Sequence, residues 1–225
     1  MKKSAALLLV LSCLFCLFTA CGPSQDAEDP SKEDQDIVSD ETVTVSPLPG
    51  TLNVAQLDNC TVAVSLNDGD VYADNTGTVQ MKVTVYTYDL YDMVDIANLE
   101  EGDVIVIRQE KVKVTELDRD DSGDVRINGG LDVGGYELRT DESGVYFEIS
   151  YSDIKSYYAI GEAILPVSAE FTYTDSSVLE QDPVVYSAND FLTEGSGIDY
   201  HFVPDNTSIV IEGGEIISMS RVYTP

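Results

Sequence analysis

Apolar and polar residues alternate over short stretches from about residue 51 to the C-terminus. In the stretch 78–86 every second residue is apolar: Val79, Met81, Val83 and Val85. A period of two is typical of a β-strand that buries one face and exposes the other to water. Similar stretches recur along the chain, at 60–66, 103–107, 111–117, 136–140, 145–150, 154–160, 163–167 and 171–173. These stretches predict a β-rich domain.

Gly, Asn and Asp residues separate the predicted strands. The clearest hairpin lies near the C-terminus, where Gly213-Gly214 joins the stretches 207–212 and 215–221. Two glycines accept the positive φ angles that a two-residue hairpin loop requires. Helical signal is limited to 91–97 and 187–192, each long enough for a turn or two. We therefore expect an all-β fold, an antiparallel sandwich or barrel-like domain with one or two short helical turns.

The N-terminal residues follow a different pattern. Lys2 and Lys3 precede an apolar run from Ala5 to Phe18 that only Ser12 interrupts. The run is too short to cross a bilayer as a stable helix, but its length suits the apolar part of an export signal. We expect residues 1–20 to be a signal peptide that is removed on export.

The residues at the end of this run carry a family resemblance. The segment Phe18-Thr19-Ala20-Cys21-Gly22 resembles the lipobox of bacterial lipoproteins, in which small residues precede a cysteine. The resemblance covers only residues 1–22. It implies cleavage between Ala20 and Cys21 and a diacylglycerol thioether on Cys21, and it leaves acylation of the new amino group, for example with palmitate, open. The alternative is an ordinary secretory signal that is cut after Ala20.

Lipid on Cys21 would place the protein on the extracytoplasmic face of the cell membrane, because two acyl chains give stable anchoring. Residues 21–50 are acidic and polar with little to bury, so we expect a disordered, self-repelling tether. The long spacer favours a Gram-positive envelope. Residues 51–225 would then form the extracytoplasmic domain. They could also comprise two small β units, about 51–140 and 141–225, although no Pro/Ser-rich linker separates them.

Charge and cysteine content narrow the function classes. The chain has 12 Lys and Arg against 41 Asp and Glu, a net charge of −29. Such a polyanion repels nucleic-acid phosphates, which excludes nucleic-acid binding, whereas a cationic protein or peptide remains a possible partner. Cys60 is the only cysteine beyond residue 21, so we expect no disulfide and interpret Cys60 as a buried strand residue.

One acidic stretch has the spacing of a cation-binding loop. Oxygen-bearing side chains alternate at Asp118, Asp120, Ser122 and Asp124, with a glycine at the sixth position, as in loops that bind Ca²⁺. The twelfth position, however, is Gly129 where such a loop needs a bidentate Glu, and no helices flank the stretch. A hairpin turn explains the same residues. We therefore assign no cofactor and keep Ca²⁺ as the alternative.

Tyrosine is the unusual aromatic residue of this chain, with 13 Tyr and no Trp. Tyr86, Tyr88 and Tyr91, and separately Tyr157-Tyr158, could form contact surfaces, because a tyrosine packs its ring while its hydroxyl stays hydrated. The alternative is that tyrosine simply favours strands. His201 is the only histidine, and no local motif of a hydrolase occurs, so we assign no catalytic residue.

Three function classes remain. A surface binding or accessory module needs only a rigid scaffold, loops and a tether, and the sequence provides all of these. An extracytoplasmic hydrolase that acts on cell-wall or peptide substrates is the first alternative, because a dispersed site leaves no local motif. A substrate-capturing lipoprotein is the second, although such proteins are usually larger and alternate strands with helices. The sequence favours the binding module.

Overall fold

The computed structural model describes residues 42–50 and 52–224. The predictions for the signal peptide, for cleavage after Ala20, for lipid on Cys21 and for the tether up to residue 41 lie outside the described residues. The described part of the chain consists mainly of strands and has two short α-helices, so the predicted all-β class is confirmed.

The strands follow one another along the whole described chain. They are β1 (Cys60–Ser65), β2 (Val71–Ala73), β3 (Val79–Thr87), β4 (Leu90–Tyr91), β5 (Val104–Ile107), β6 (Glu110–Lys113), β7 (Leu117–Arg119), β8 (Val125–Ile127), β9 (Tyr136–Thr140), β10 (Tyr146–Glu148), β11 (Tyr158–Ser176), β12 (Val184–Ser187), β13 (Thr207–Glu212) and β14 (Glu215–Val222). The helices are α1 (Met93–Ala97) and α2 (Ala188–Phe191), and 3-10 turns lie at Val54–Gln56 and Leu131–Val133. Both helices fall where the sequence predicts helical turns.

Five strands close into a barrel in the order β3, β1, β13, β14, β11 and back to β3. Closure depends on β11, whose 19 residues pair with β3 in the first half and with β14 in the second. The β11–β14 pair is parallel and the other four pairs are antiparallel, so the barrel departs from the purely antiparallel arrangement that the sequence suggested. The hairpin at Gly213-Gly214 joins β13 to β14 as predicted.

The barrel interior is filled by the apolar residues of the alternating stretches. On β3, Met81, Val83 and Val85 are at most 1% exposed. They pack with inward residues of the other strands, Val62, Val64, Val167, Phe171, Tyr173, Ile209, Ile211, Ile216 and Met219. Cys60, at the start of β1, is a free thiol that packs at the edge of this core and is partly buried.

Residues 88–157 form an insert between β3 and β11. The insert contains a sheet in the order β4-β10-β9-β8-β7 and a separate β5–β6 hairpin. It has its own apolar core, which includes Tyr91, Ile96, Ile105, Ile127 and Leu138. The sequence left open two β units with a boundary near residue 140. Such a boundary would separate β9 from its partner β10, and the barrel contains strands from both sides of the boundary.

Residues 42–50, which the sequence placed in the tether, pack against the insert. Val45 is 3% exposed and forms a parallel bridge with Ile105. The backbone N–H of Thr44 donates to the oxygen of Val104 at 2.8 Å. The alternation Thr42-Val43-Thr44-Val45 is a short strand-like pattern that explains why this segment pairs, although the acidic composition around it hides the signal.

Candidate functional site

A groove of about 820 Å³ lies on the outer face of the barrel. The barrel strands, the insert and the segment 47–50 all contribute to its lining. We call it the tyrosine groove and define it by Tyr86, Tyr88, Tyr157 and Tyr158 together with Asp89 and Asp205. Its volume falls within the range of about 300–1,000 Å³ that ligand pockets in proteins usually have.

The floor of the tyrosine groove is low because three neighbouring strands present small side chains there. Ala63 on β1 is opposite Ser208 on β13, and Ser208 is opposite Ser220 on β14. The two serine hydroxyls lie 3.0 Å apart. Outward-facing residues of paired strands stand side by side, so a row of small residues leaves space that larger side chains would fill.

One wall comes from the segment Pro47–Gly50. The N–H of Leu48 donates to the oxygen of Leu90 at 2.6 Å, which fixes the segment to the insert. Pro47 and Pro49 have no N–H to donate, so the segment stays extended beside the sheet without joining it. Leu48 is 39% exposed and gives this wall an apolar surface.

The four tyrosines come from two distant parts of the chain. Tyr86 lies in β3 and Tyr88 just beyond it, whereas Tyr157 is the last residue of the insert and Tyr158 is the first residue of β11. The pairing of Thr87 with Tyr158 brings the two parts together. The rings of Tyr88 and Tyr157 pack edge to face with centroids 5.3 Å apart, and all four side chains are only partly buried.

Asp89 lies almost buried in the groove, with 6% exposure. Its Oδ1 accepts from the hydroxyl of Tyr158 at 2.7 Å, and its Oδ2 accepts from the N–H of Arg108 at 2.6 Å. The Tyr91 hydroxyl, 3.3 Å from Oδ2, is a third donor. Burial and the carboxylate of Asp89 raise the pKa of Tyr158, so its phenol keeps the proton that it donates. Asp89 therefore orients Tyr158.

The turn between β5 and β6 is also held by Asp89, together with Glu148. Arg108 and Gln109 have φ angles of 49° and 70°, although neither is a glycine. Such a turn needs external support, and Asp89 holds the N–H of Arg108 while the buried Glu148 holds its guanidinium. Burial raises the pKa of Glu148 although Arg108 opposes this shift. Gln109 lines the groove beside Tyr158.

Among the described residues that line the tyrosine groove, the charged side chains are Asp89 and Asp205, and none is Lys, Arg or His. Burial raises the pKa of Tyr157, and the neighbouring Tyr88 and the charge of Asp205 raise it further. The ammonium of Lys155 lies 4.2 Å from the ring centroid of Tyr88 and 2.9 Å from its hydroxyl.

Tyr91 does not share this surface. Its side chain is fully buried in the insert, and its hydroxyl donates to the oxygen of Val106 at 2.9 Å. This burial corrects the prediction that Tyr91 forms a contact surface with Tyr86 and Tyr88. Tyr86 and Tyr88 do line one groove. Tyr91 lies in β4, which pairs with β10, and this pairing places its side chain in the core of the insert.

The proposed cation loop is a hairpin turn between β7 and β8. Its carboxylates face arginines: Arg126 lies 3.4 Å from Asp118 and 3.6 Å from Asp120, and Arg139 lies 3.1 Å from Asp124. The hydroxyl of Ser122 donates to Asp120 and lowers its pKa. In residues 42–50 and 52–224 no three His, Cys, Asp or Glu residues are grouped to hold a metal ion.

A second cavity of about 610 Å³ is lined by His201 and Arg221. The buried Arg221 is paired with Asp175 at 3.0 Å and with Asp199 at 3.3 Å. His201 is exposed, and its backbone oxygen accepts from the amide of Asn206 at 3.3 Å. Arg221, Asp175 and Asp199 are therefore engaged with one another.

No family model, no curated protein and no solved structure matches this chain. None of the helices in the described part of the chain is long and apolar enough to cross a membrane.

Proposed function

We propose that this protein is a lipid-anchored extracytoplasmic binding module and that the tyrosine groove is its ligand site. The observation that carries the proposal is the convergence of four tyrosines, two in β3 and β11 and two at the ends of the insert, around one groove of about 820 Å³. Tyrosine is suited to recognition because its ring offers a large contact area at a low cost in conformational entropy while its hydroxyl can bind polar groups.

The interior of the groove combines the two surfaces that a binding site needs. Leu48, Leu52 and Ile160 offer apolar contact, and Tyr158, Gln109 and Asn206 offer polar groups. Tyr158 is held by Asp89, and Gln109 belongs to a turn that Asp89 and Glu148 support. A site that is already ordered before binding loses less entropy when it takes its ligand.

The anchor is proposed from the leader, where the run 5–18 ends at Ala20-Cys21. Fractionation of cells that produce the full chain or Cys21→Ala tests it. The parent chain should enter the detergent phase on phase separation, and Cys21→Ala should appear in the medium or accumulate as an uncleaved precursor. An uncleaved precursor also enters detergent through its apolar run, so chain length is measured as well. A Cys21→Ala protein that is cleaved to the length of the parent and still partitions into detergent would refute the anchor.

The ligand site can be tested with small peptides, because the protein contains no Trp. Tryptophan emission from probes of the form Ac-X-Trp-X-NH2, where X is Lys, Gln, Glu or Phe, then comes from the probe alone. Energy transfer from the protein's 13 tyrosines to the indole reports that the probe is bound. We expect at least one probe to bind the full chain in non-ionic detergent.

A matched pair of variants locates the binding. Tyr157→Ala removes a groove ring, whereas Tyr72→Ala removes a ring that lies in β2 and does not line the groove. Binding should be lost in the first variant and kept in the second. If no probe binds, or if both variants bind as the parent does, the tyrosine groove is not the ligand site. The hydrolase and the substrate-capturing lipoprotein stay predictions of the sequence.

A further inference from the structure

We infer that the tyrosine groove takes a basic side chain, a Lys or Arg in an extended peptide of the partner, with its charge beside Asp205 and the ring of Tyr157. This inference rests on the proposed function and adds the class of ligand. Asp89 and Asp205 are the charged residues among the described residues that line the groove, and none of those lining residues is basic.

The two carboxylates differ in what they can still bind. Asp89 already accepts from Tyr158 and Arg108, with Tyr91 as a further donor, and it is 6% exposed. Asp205 is only partly buried and forms no ion pair with any residue that the structure describes. Its charge reaches Tyr157, whose pKa it helps to raise. Asp205 is therefore the contact carboxylate, and Asp89 is a positioning residue.

Two cations near the groove already have partners in this chain. The guanidinium of Arg108 binds the buried Glu148. The ammonium of Lys155 contacts the ring of Tyr88, which lines the groove, and the ring of Phe147. Lys155 also shows that a tyrosine of this cluster binds an ammonium ion, because the face of an aromatic ring attracts cations.

Screening by salt decides which acidic residues can make the groove prefer a basic ligand. At physiological ionic strength the Debye length is about 8 Å, so most of the 41 acidic residues act only on the rate of encounter. The carboxylates inside the groove act at contact distance. A basic side chain there can also lay its aliphatic stem on an apolar wall, such as that of Leu48 and Leu52. An alkyl amine could make both of these contacts, but a peptide also has backbone amide groups, which Gln109 and Asn206 of the lining can bind.

The same tryptophan probes test the inference on the full chain. The Lys probe should bind more tightly than the Gln probe, and the Glu probe should bind least. Asp205→Asn should weaken binding of the Lys probe by about two- to fivefold, the effect of one partly exposed charge pair. The Gln probe should bind that variant as it binds the parent.

The matched control is Asp121→Asn, which removes the same charge from an exposed residue in the β7–β8 turn. If the Lys probe lost the same affinity in Asp121→Asn and in Asp205→Asn, its attraction would come from the overall negative charge of the protein. That result would overturn the inference. Groove-dependent binding of the Gln or Glu probe as tight as that of the Lys probe would also overturn it, while the proposed function would stand. Binding of no probe would refute the proposed function itself.

A competition experiment separates a peptide from a free polyamine. Spermidine and the Lys probe both carry ammonium groups on aliphatic chains, but only the probe has amide groups and an aromatic ring that can also bind the polar and apolar residues of the groove. The Lys probe should compete with a labelled copy of itself at concentrations about tenfold lower than spermidine needs. Spermidine that competes equally well would overturn the assignment to a peptide.

Discussion

Replacing Asp89 with alanine tests whether one carboxylate holds the groove and the insert together. The substitution removes the acceptor of the Tyr158 hydroxyl and of the Arg108 N–H. Tyr91 keeps its second acceptor, the oxygen of Val106. Asp89→Ala therefore leaves two buried or half-buried donors without a protein acceptor.

The expected magnitude follows from these two donors. A donor that loses its only acceptor in a buried site costs about 1–3 kcal/mol. Because Tyr158 is only partly buried, water can replace part of its bond. We expect Asp89→Ala to lower the free energy of unfolding by about 3 kcal/mol, and Asp89→Asn, which keeps one acceptor oxygen, by about 1–2 kcal/mol.

The measurement is urea unfolding followed by circular dichroism and by tyrosine fluorescence. The two signals should give one midpoint if the barrel and the insert unfold together, which matters because each has its own core. Asp121→Ala is the control, since its side chain is exposed and its loss should change stability by no more than about 0.5 kcal/mol.

A double-mutant cycle identifies the bond itself. Combining Asp89→Ala with Tyr158→Phe removes both partners of the 2.7 Å hydrogen bond. The loss in the double variant should be smaller than the sum of the single losses by about 1 kcal/mol. If Asp89→Ala is no less stable than Asp121→Ala, or if the cycle is additive, the hydrogen bonds of Asp89 do not support this junction.

Three further substitutions test the fold. Gly135→Ala would place a Cβ 2.3 Å from the oxygen of Ile127, and it should lower the unfolding free energy by at least about 2 kcal/mol in urea titrations; a neutral effect would contradict the backbone contact. Met81→Ala should cost about 2–5 kcal/mol by the same assay because Met81 is fully buried in the barrel, and a loss below about 1 kcal/mol would contradict that packing. Burial alone would raise the pKa of Asp175, but the hydrogen bonds of Ser177 and Arg221 outweigh it and lower the pKa below the ordinary value of 3.8. Its contribution to stability is therefore present above that value and lost as the pH falls through the lower folded pKa. Thermal melts should show a weaker acid destabilisation in Asp175→Asn than in the parent, and identical acid limbs would contradict the pairing.

The sequence predicts the strands better than it predicts how they associate. Alternation identifies β3 and the β13–β14 hairpin because each strand has one buried face and the hairpin is local. The 19-residue β11 was predicted as separate stretches at 154–160, 163–167 and 171–173. Its residues alternate irregularly because it pairs first with β3 and then with β14. Barrel closure depends on these distant pairings, which no local pattern reports.

The insert is hidden from the sequence for a similar reason. The chain leaves the barrel after Thr87 and returns at Tyr158, and these two residues are paired neighbours. An insert whose ends lie side by side needs no linker, so the absence of a Pro/Ser-rich segment did not indicate a single continuous sheet. The segment 42–50 is concealed too, because Val45 is a buried residue within an acidic stretch.

The same pairing explains how much of the tyrosine groove the sequence could indicate. Tyr86 and Tyr88 stand out by their spacing, and Tyr157-Tyr158 stand out as a second group, but only the β3–β11 register joins the two groups. Asp89 and Asp205 are two among 41 acidic residues, so composition does not single them out. Their roles follow from their partners: one carboxylate is saturated by donors of its own chain, whereas the other has no ion pair among the described residues.

Because Asp89 is saturated by donors and Asp205 has no ion pair among the described residues, substitutions at the two positions should give different results. A substitution at Asp89 should change stability and binding together, because it releases Tyr158 and the Arg108 turn. A substitution at Asp205 should change binding alone. A ligand that binds only the folded protein stabilises it by mass action, so a saturating Lys probe should raise the melting temperature of the parent and raise it less in Asp205→Asn. Equal shifts in the two proteins would show that Asp205 does not contact the probe, whatever the probe's affinity.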